Sequence, residues 1–197
     1  MKTLLTLTLL IAASVALAGV TPGDKAPDFT LTDTSGDEHT LSALLADHKV
    51  VVLEWFNPDC PFIVRHHKTH KTMDETYAAV KDQGVAWIAI NSGAAGKQGA
   101  GLERNRKAVE EYAMSFPLLL DPDGTVGKAY GAMTTPHMFV IAQDGTIVYA
   151  GAIDDDRAGD KPGEVNYVAA ALGAVLAGED VATQETRPYG CSVKYAD

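Results

Sequence analysis

The sequence predicts one α/β domain: a central mixed sheet flanked by helices, with an N-terminal hairpin and an inserted α-β unit. Three observations predict it. Val50-Val51-Val52-Leu53 and Val85-Ala86-Trp87-Ile88-Ala89-Ile90 are short unbroken apolar runs of the kind buried on both faces of a sheet. The stretch between them has room for a helix, so the three read as a strand–helix–strand unit with a right-handed crossover and parallel strands. Further on, 137–142 and 146–151 are separated only by Gln143-Asp144-Gly145, which makes them an antiparallel hairpin.

In chain order, residues 1–18 come first. They carry Lys2, no acid, an apolar stretch of about a dozen residues and the ending Val15-Ala16-Leu17-Ala18. That is the pattern of a secretory signal peptide cleaved after Ala18, too short to span a bilayer. The expectation is an exported protein, periplasmic or extracellular, with no membrane insertion after cleavage. Disulfides persist in such a compartment. The remaining stretch, 19–197, has the size of one domain, and without Lys2 it holds 15 basic against 26 acidic side chains, a formal net charge of −11. With no cluster of basic residues and aromatics, nucleic acid and anionic membrane are not expected partners.

Ala26-Pro27-Asp28-Phe29-Thr30-Leu31-Thr32-Asp33 alternates and runs into the turn Ser35-Gly36-Asp37, the entry to a short hairpin. A strand is expected over Val50 to Phe56, a helix from Pro61 to about Asp82, and a strand over Val85 to Ile90. Residues 92–101, rich in Gly and Ala, form a loop. Leu102 to Met114 is a charged amphipathic helix, Phe116 to Leu120 a short strand, and Asp121-Pro122-Asp123-Gly124 a turn. After the hairpin, a last helix over about Gly163 to Ala177 stops at Gly178, and 179–197 is a tail.

The chain has two cysteines, 131 positions apart. Too few for a disulfide scaffold, they are free for function. Cys60 lies where a buried strand gives way to a helix opening on Pro61. The unsatisfied N–H groups and partial positive charge of a helix N-terminus favour thiolate over thiol, and the thiolate is the nucleophile. The alternative is a buried, inert cysteine. Arg65, in the first helical turn, is a candidate thiolate stabiliser or a surface charge. His66, His67 and His70 read as a solvated helix face, and His137 as a packing or substrate-contact residue. Asp154-Asp155-Asp156 lacks the ligand spacing of a calcium loop and reads as a turn.

Four segments resemble the thioredoxin-like fold in its redoxin branch, the peroxiredoxin-like alkyl hydroperoxide reductase/thiol-specific antioxidant proteins. They are 26–31, Val51-Val52-Leu53-Glu54-Trp55-Phe56-Asn57-Pro58-Asp59-Cys60-Pro61, 116–124 with Tyr130-Gly131, and Thr134-Thr135-Pro136-His137-Met138-Phe139-Val140-Ile141. The resemblance implies a cis-proline at Pro136 beside the reactive cysteine, with Thr135, Pro136 and Pro61 shaping a substrate groove. It places Glu54 where thioredoxins carry a buried acid that relays a proton to the thiol; the alternative is that Glu54 faces the wetter side of its strand. Two departures stand out. Ile63 occupies the position of the second thioredoxin cysteine, and Asn57 and Leu53 replace the hydroxyl residue and proline of the peroxiredoxin motif. Asn57 can still donate a hydrogen bond to a thiolate or peroxide oxygen.

Cys191, in Tyr189-Gly190-Cys191-Ser192-Val193-Lys194, reads as a loose end, an intermolecular link, a structural bridge or the resolving partner of Cys60. Similar redoxins carry a related Gly-Cys-Ser-x-Lys tail, which favours the partner. A Cys60–Cys191 bridge, closing a loop of about 130 residues, would stabilise the fold by at most roughly 5 kcal/mol. The resemblance thus implies an exported thiol oxidoreductase exchanging thiols and disulfides with a protein, reset by an exported reductant, with no metal and no organic cofactor. Two other readings stand beside it: a peroxidase acting on hydrogen peroxide or alkyl peroxides, and a copper-binding module using Cys60, Cys191 and His137.

Overall fold

The computed structural model describes residues 19–158 and 161–197. The leader expected over 1–18 lies outside the described residues. The elements are β1 (Thr30–Asp33), β2 (Glu38–Thr40), α1 (Leu41–Asp47), β3 (Val50–Trp55), α2 (Pro61–Val64), α3 (Thr72–Val80), β4 (Val85–Asn91), α4 (Leu102–Glu111), β5 (Leu118–Leu120), α5 (Thr125–Tyr130), β6 (Thr134–Thr135), β7 (Met138–Ala142), β8 (Ile147–Gly151), α6 (Tyr167–Ala177) and β9 (Cys191–Ser192). Seven strands form one sheet in the order β2-β1-β5-β4-β3-β7-β8, and β6 and β9 form a separate two-stranded ribbon. β3 pairs parallel with β4, and β4 with β5; the other ladders are antiparallel. The mixed sheet, the opening hairpin and the inserted unit stand as the sequence predicts.

β3 and β4 are buried along their whole length because helices cover both faces of the sheet. Successive side chains alternate between two cores. Val50, Val52 and Phe56 pack with Trp87, with Met73 of α3 and with Val168, Ala171 and Leu172 of α6. Val51, Leu53 and Trp55 pack with Ile88 and Ile90, with Leu41 of α1 and with Val126 and Tyr130 of α5. The alternation puts Glu54 on the first of these faces, the one that also carries Cys60.

The helix expected from Pro61 to Asp82 is broken. α2 is a single turn, a π-turn follows over Arg65–Thr69, Lys71 takes a left-handed conformation (φ 53°), and only then does α3 begin. The wider turn rotates His66 and His67 inward, where both are buried. The solvated-face reading of these two histidines is therefore corrected: each finds a buried polar partner, described below, that repays its desolvation. α6 starts at Tyr167, four residues later than expected, because Asn166 caps it by accepting from the Ala169 N–H (2.9 Å).

Candidate active site

β3 ends at Trp55, and the loop 56–59 lifts Cys60 to the N-terminal end of α2. The Cys60 N–H donates to the Asn57 carbonyl (3.1 Å), the Cys60 carbonyl accepts from the Val64 N–H (3.0 Å), and Pro61 takes the first helical position, where its missing N–H costs nothing. Cys60 is completely buried. Its sulfur lies 3.0 Å from the Thr135 carbonyl oxygen, to which the neutral thiol donates. The Thr135–Pro136 bond is cis. Thr135 and Pro136 are buried beside the sulfur, and Pro61 is exposed at the helix start.

The second cysteine comes to the same place. In the ribbon, Thr135 is the register partner of Cys191 and Thr134 that of Ser192. The Thr135 hydroxyl reaches the Cys191 carbonyl (3.4 Å), and both sulfurs are free thiols. Their acidities are pushed in opposite directions. Burial of Cys60 opposes its ionisation, but hydrogen bonds from the Cys191 thiol, the Thr135 side chain and the backbone N–H groups of Ile63 and Cys191 outweigh it and hold Cys60 below the ordinary thiol range. Ionisation forfeits the bond to the Thr135 carbonyl and gains those donors. Cys191 is pushed up to about 11, first by burial, then by its hydrogen bond to Cys60 and the Cys60 charge, with Lys194 pulling the other way. The one-turn α2 supplies little dipole, so specific donors rather than a long helix activate the sulfur.

Glu54 does not face water. It is fully buried, its Oε1 lies 2.7 Å from His67 Nε2, and its Oε2 accepts from the Trp87 indole N–H (2.9 Å). Burial alone would keep His67 neutral; the Glu54 charge, with Asp74 at 3.6 Å from Nδ1, overrides it and raises His67 to about 9. The His67 ring stacks on Tyr112 and meets Phe56 edge-on. The acid beneath the site is thus paired with an imidazolium.

Asn57 spends its side chain on the backbone. Its amide N–H donates to the Gln98 carbonyl (3.1 Å) and its Oδ1 accepts from the Asp59 N–H (2.9 Å), which ties the cysteine loop to the loop 92–101. At Gly99, which has a positive φ of 75°, any Cβ would collide with that same amide. Asn57 is therefore placed as a brace of the loop. Arg65 lies over the Phe62 ring (4.6 Å). His137 packs on Phe139 and accepts from the Met133 N–H (3.4 Å), and burial lowers it to about 4. Among the described residues no group of three or more His, Cys, Asp or Glu is arranged to hold a metal, so Cys60, Cys191 and His137 are not assembled as ligands.

Two supports escaped the sequence reading. Arg104 of α4 grips the residue before the cysteine: its guanidinium meets Asp59 at 2.7–2.8 Å and donates to the Pro58 carbonyl (3.3 Å), which the Tyr112 hydroxyl also reaches. An unpaired acid next to the cysteine was the available signal. The second support is the seat of the tail. Tyr189 is buried, its hydroxyl donating to Asp154 and meeting His66 Nε2 (3.1 Å), while His66 Nδ1 faces Thr72 (3.3 Å). Burial keeps His66 neutral, lowered to about 4. Asp154, read from sequence as part of a turn, is in fact a buried acceptor.

A model of the Redoxin family matches residues 21–170. The thiol-disulfide oxidoreductase ResA of Geobacillus kaustophilus is 33% identical over 128 residues, covering 65% of this chain and 67% of that one. A hypothetical protein of solved structure from Sinorhizobium meliloti is 33% identical, with a TM-score of 0.80 over 91% of this chain and 97% of that one. An uncharacterized conserved protein from Geobacillus kaustophilus is 30% identical, with a TM-score of 0.78 over 89% and 92%. The family match stops at residue 170, short of the segment that carries Cys191. Since that match spans most of the sequence and the structure carries the same mixed sheet with a cysteine beside a cis-proline, the chain belongs to the redoxin family.

Proposed function

We propose that this redoxin is an exported thiol–disulfide oxidoreductase that reduces protein disulfides with Cys60 as nucleophile and Cys191 as resolving thiol. The observation that carries the reading is the meeting of both cysteines at Thr135: the Cys60 sulfur on its carbonyl, and Cys191 as its strand partner. The leader-like residues 1–18 support export.

The chemistry takes two steps. The Cys60 thiolate attacks one sulfur of the substrate disulfide; that S–S bond breaks, the other sulfur leaves as a thiolate and takes up a proton, and Cys60 holds a mixed disulfide. Cys191 then gives up its proton and attacks the Cys60 sulfur, forming Cys60–Cys191 and releasing the second substrate thiol. Two electrons and two protons have passed to the substrate, and an exported dithiol reductant returns them. The order is favoured by charge. Two of the causes that raise Cys191, its bond to Cys60 and the Cys60 charge, disappear once Cys60 is tied up in the mixed disulfide, so Cys191 ionises more readily for the second step than before the first.

The peroxidase reading draws no comparable support, since both polar ends of the Asn57 side chain meet the loop backbone, at the Gln98 carbonyl and the Asp59 N–H, and neither meets the Cys60 sulfur. Insulin reduction by wild type, Cys60→Ser and Cys191→Ser tests the proposal. Cys60→Ser is expected to lose turnover, and Cys191→Ser to stall as a mixed disulfide; turnover by Cys60→Ser contradicts it.

A further inference from the structure

The backbone edge at Thr134–Thr135 is the place beside Cys60 where an extended partner can pair, and the chain's own tail already fills it. Thr134 and Thr135 pair with Ser192 and Cys191, and the Val193 N–H donates to the Met133 carbonyl (3.0 Å). Gly190, with φ 139°, crosses the Thr135 carbonyl so closely that any Cβ would strike its oxygen. The segment is held at both ends. On one side Tyr189 is sunk against Phe62 with its hydroxyl on Asp154 and His66. On the other, Tyr195 packs against Gly124 and Gly127 and donates to the Ala132 carbonyl (2.9 Å), and the Ala94 N–H donates to the Lys194 carbonyl (2.8 Å). Beneath it, Cys60 is 0% exposed.

We infer that residues 189–195 are a built-in substrate mimic: an extended segment whose cysteine sits opposite Thr135, so that a protein disulfide reaches Cys60 only by displacing it. This rests on the reading of Cys60 as the nucleophile and names the substrate class it serves, an extended cysteine-bearing segment that competes for one strand edge. Main-chain pairing is indifferent to most side chains, which suits the edge to many partners. The apparent affinity for such a segment scales with the fraction of molecules whose edge is free. A small disulfide also needs the sulfur uncovered, but it needs no free strand edge, so it gains less from displacement.

The test uses full-length protein carrying Cys191→Ser, which keeps the strand but removes the resolving thiol, and compares it with Cys191→Ser/Gly190→Val, in which the new Cβ forces the strand off Thr135. The probes are dithionitrobenzoate and a ten-residue peptide whose single cysteine is activated as the thionitrobenzoate mixed disulfide. Near-UV circular dichroism verifies that the core is intact; Tyr195→Ala, which loosens the far end of the segment, replaces Gly190→Val if it is not. Displacement is expected to raise the rate of Cys60 adduct formation with the peptide about tenfold or more, and with dithionitrobenzoate by about threefold or less. A synthetic 187–197 peptide with Ser in place of Cys191 is expected to reverse the gain. Equal changes for the two probes, or no change, overturn the inference. Absence of any Cys60 adduct with dithionitrobenzoate overturns the nucleophile reading itself, and the inference with it.

Discussion

Glu54 and His67 form an ion pair of 2.7 Å in which neither side chain has any exposed surface, on the sheet face that carries Cys60. Such a pair adds little net stability over an apolar one, yet losing one partner strands the other charge at a cost of about 3–5 kcal/mol. Glu54→Ala and His67→Ala are each expected to lower Tm by on the order of 10 °C. Thermal melts check this, and a loss within about 2 °C in both variants contradicts the pair.

The same pair sets a pH dependence. The folded-state pKa of His67, about 9, lies above its unfolded value of about 6.5, so its stabilisation is complete below about 6.5 and is lost as pH rises toward 9. His66 and His137 are displaced the other way, to about 4, so the stability they allow is present above about 6.5 and is lost as pH falls toward 4. Tm of the Cys60→Ser protein is therefore expected to pass through a maximum near pH 6.5–7. A flat alkaline limb between 6.5 and 9 contradicts the His67 assignment.

The acidity of Cys60 depends on its partner. Since the Cys191 thiol is the first donor opposing burial, Cys191→Ala is expected to move the pH midpoint of Cys60 alkylation upward toward the free-thiol value of about 8.5. Iodoacetamide rates as a function of pH report it. An unchanged midpoint assigns the activation to Thr135 and Ile63 instead.

The cysteine loop is held by a pair that is partly exposed. Arg104 and Asp59 keep 28% and 34% of their side-chain surface, so Arg104→Met is expected to cost about 1 kcal/mol or less in stability. Its larger effect is on position, since the guanidinium also holds the Pro58 carbonyl two residues before the nucleophile. A fall of about tenfold in kcat/KM with Tm nearly unchanged is expected. A parallel loss of both would make the residue a general stabiliser.

Legibility followed length and periodicity. The runs at 50–53 and 85–90 announced the central parallel pair, and Thr135-Pro136 announced the cis bond through resemblance. The short elements α1 and α5 have too few turns to print a period, and α5 carries Gly127 in its middle because Tyr195 and Ser92 crowd that spot from elsewhere in the chain. The π-turn was hidden because local pattern favours a continuous helix; it is tertiary pairing with Glu54 and Tyr189 that turns His66 and His67 inward. The β6–β9 ribbon joins residues 56 positions apart through two short strands, which no local signal encodes.

Whether Cys191 resolves Cys60 within one chain is read by a non-reducing peptide map after stoichiometric oxidation of the protein at low concentration. One dominant product is expected, a disulfide between Cys60 and Cys191 within a single chain, absent from Cys60→Ser and Cys191→Ser. Two cysteines recovered unlinked, or linked only between chains, would contradict it.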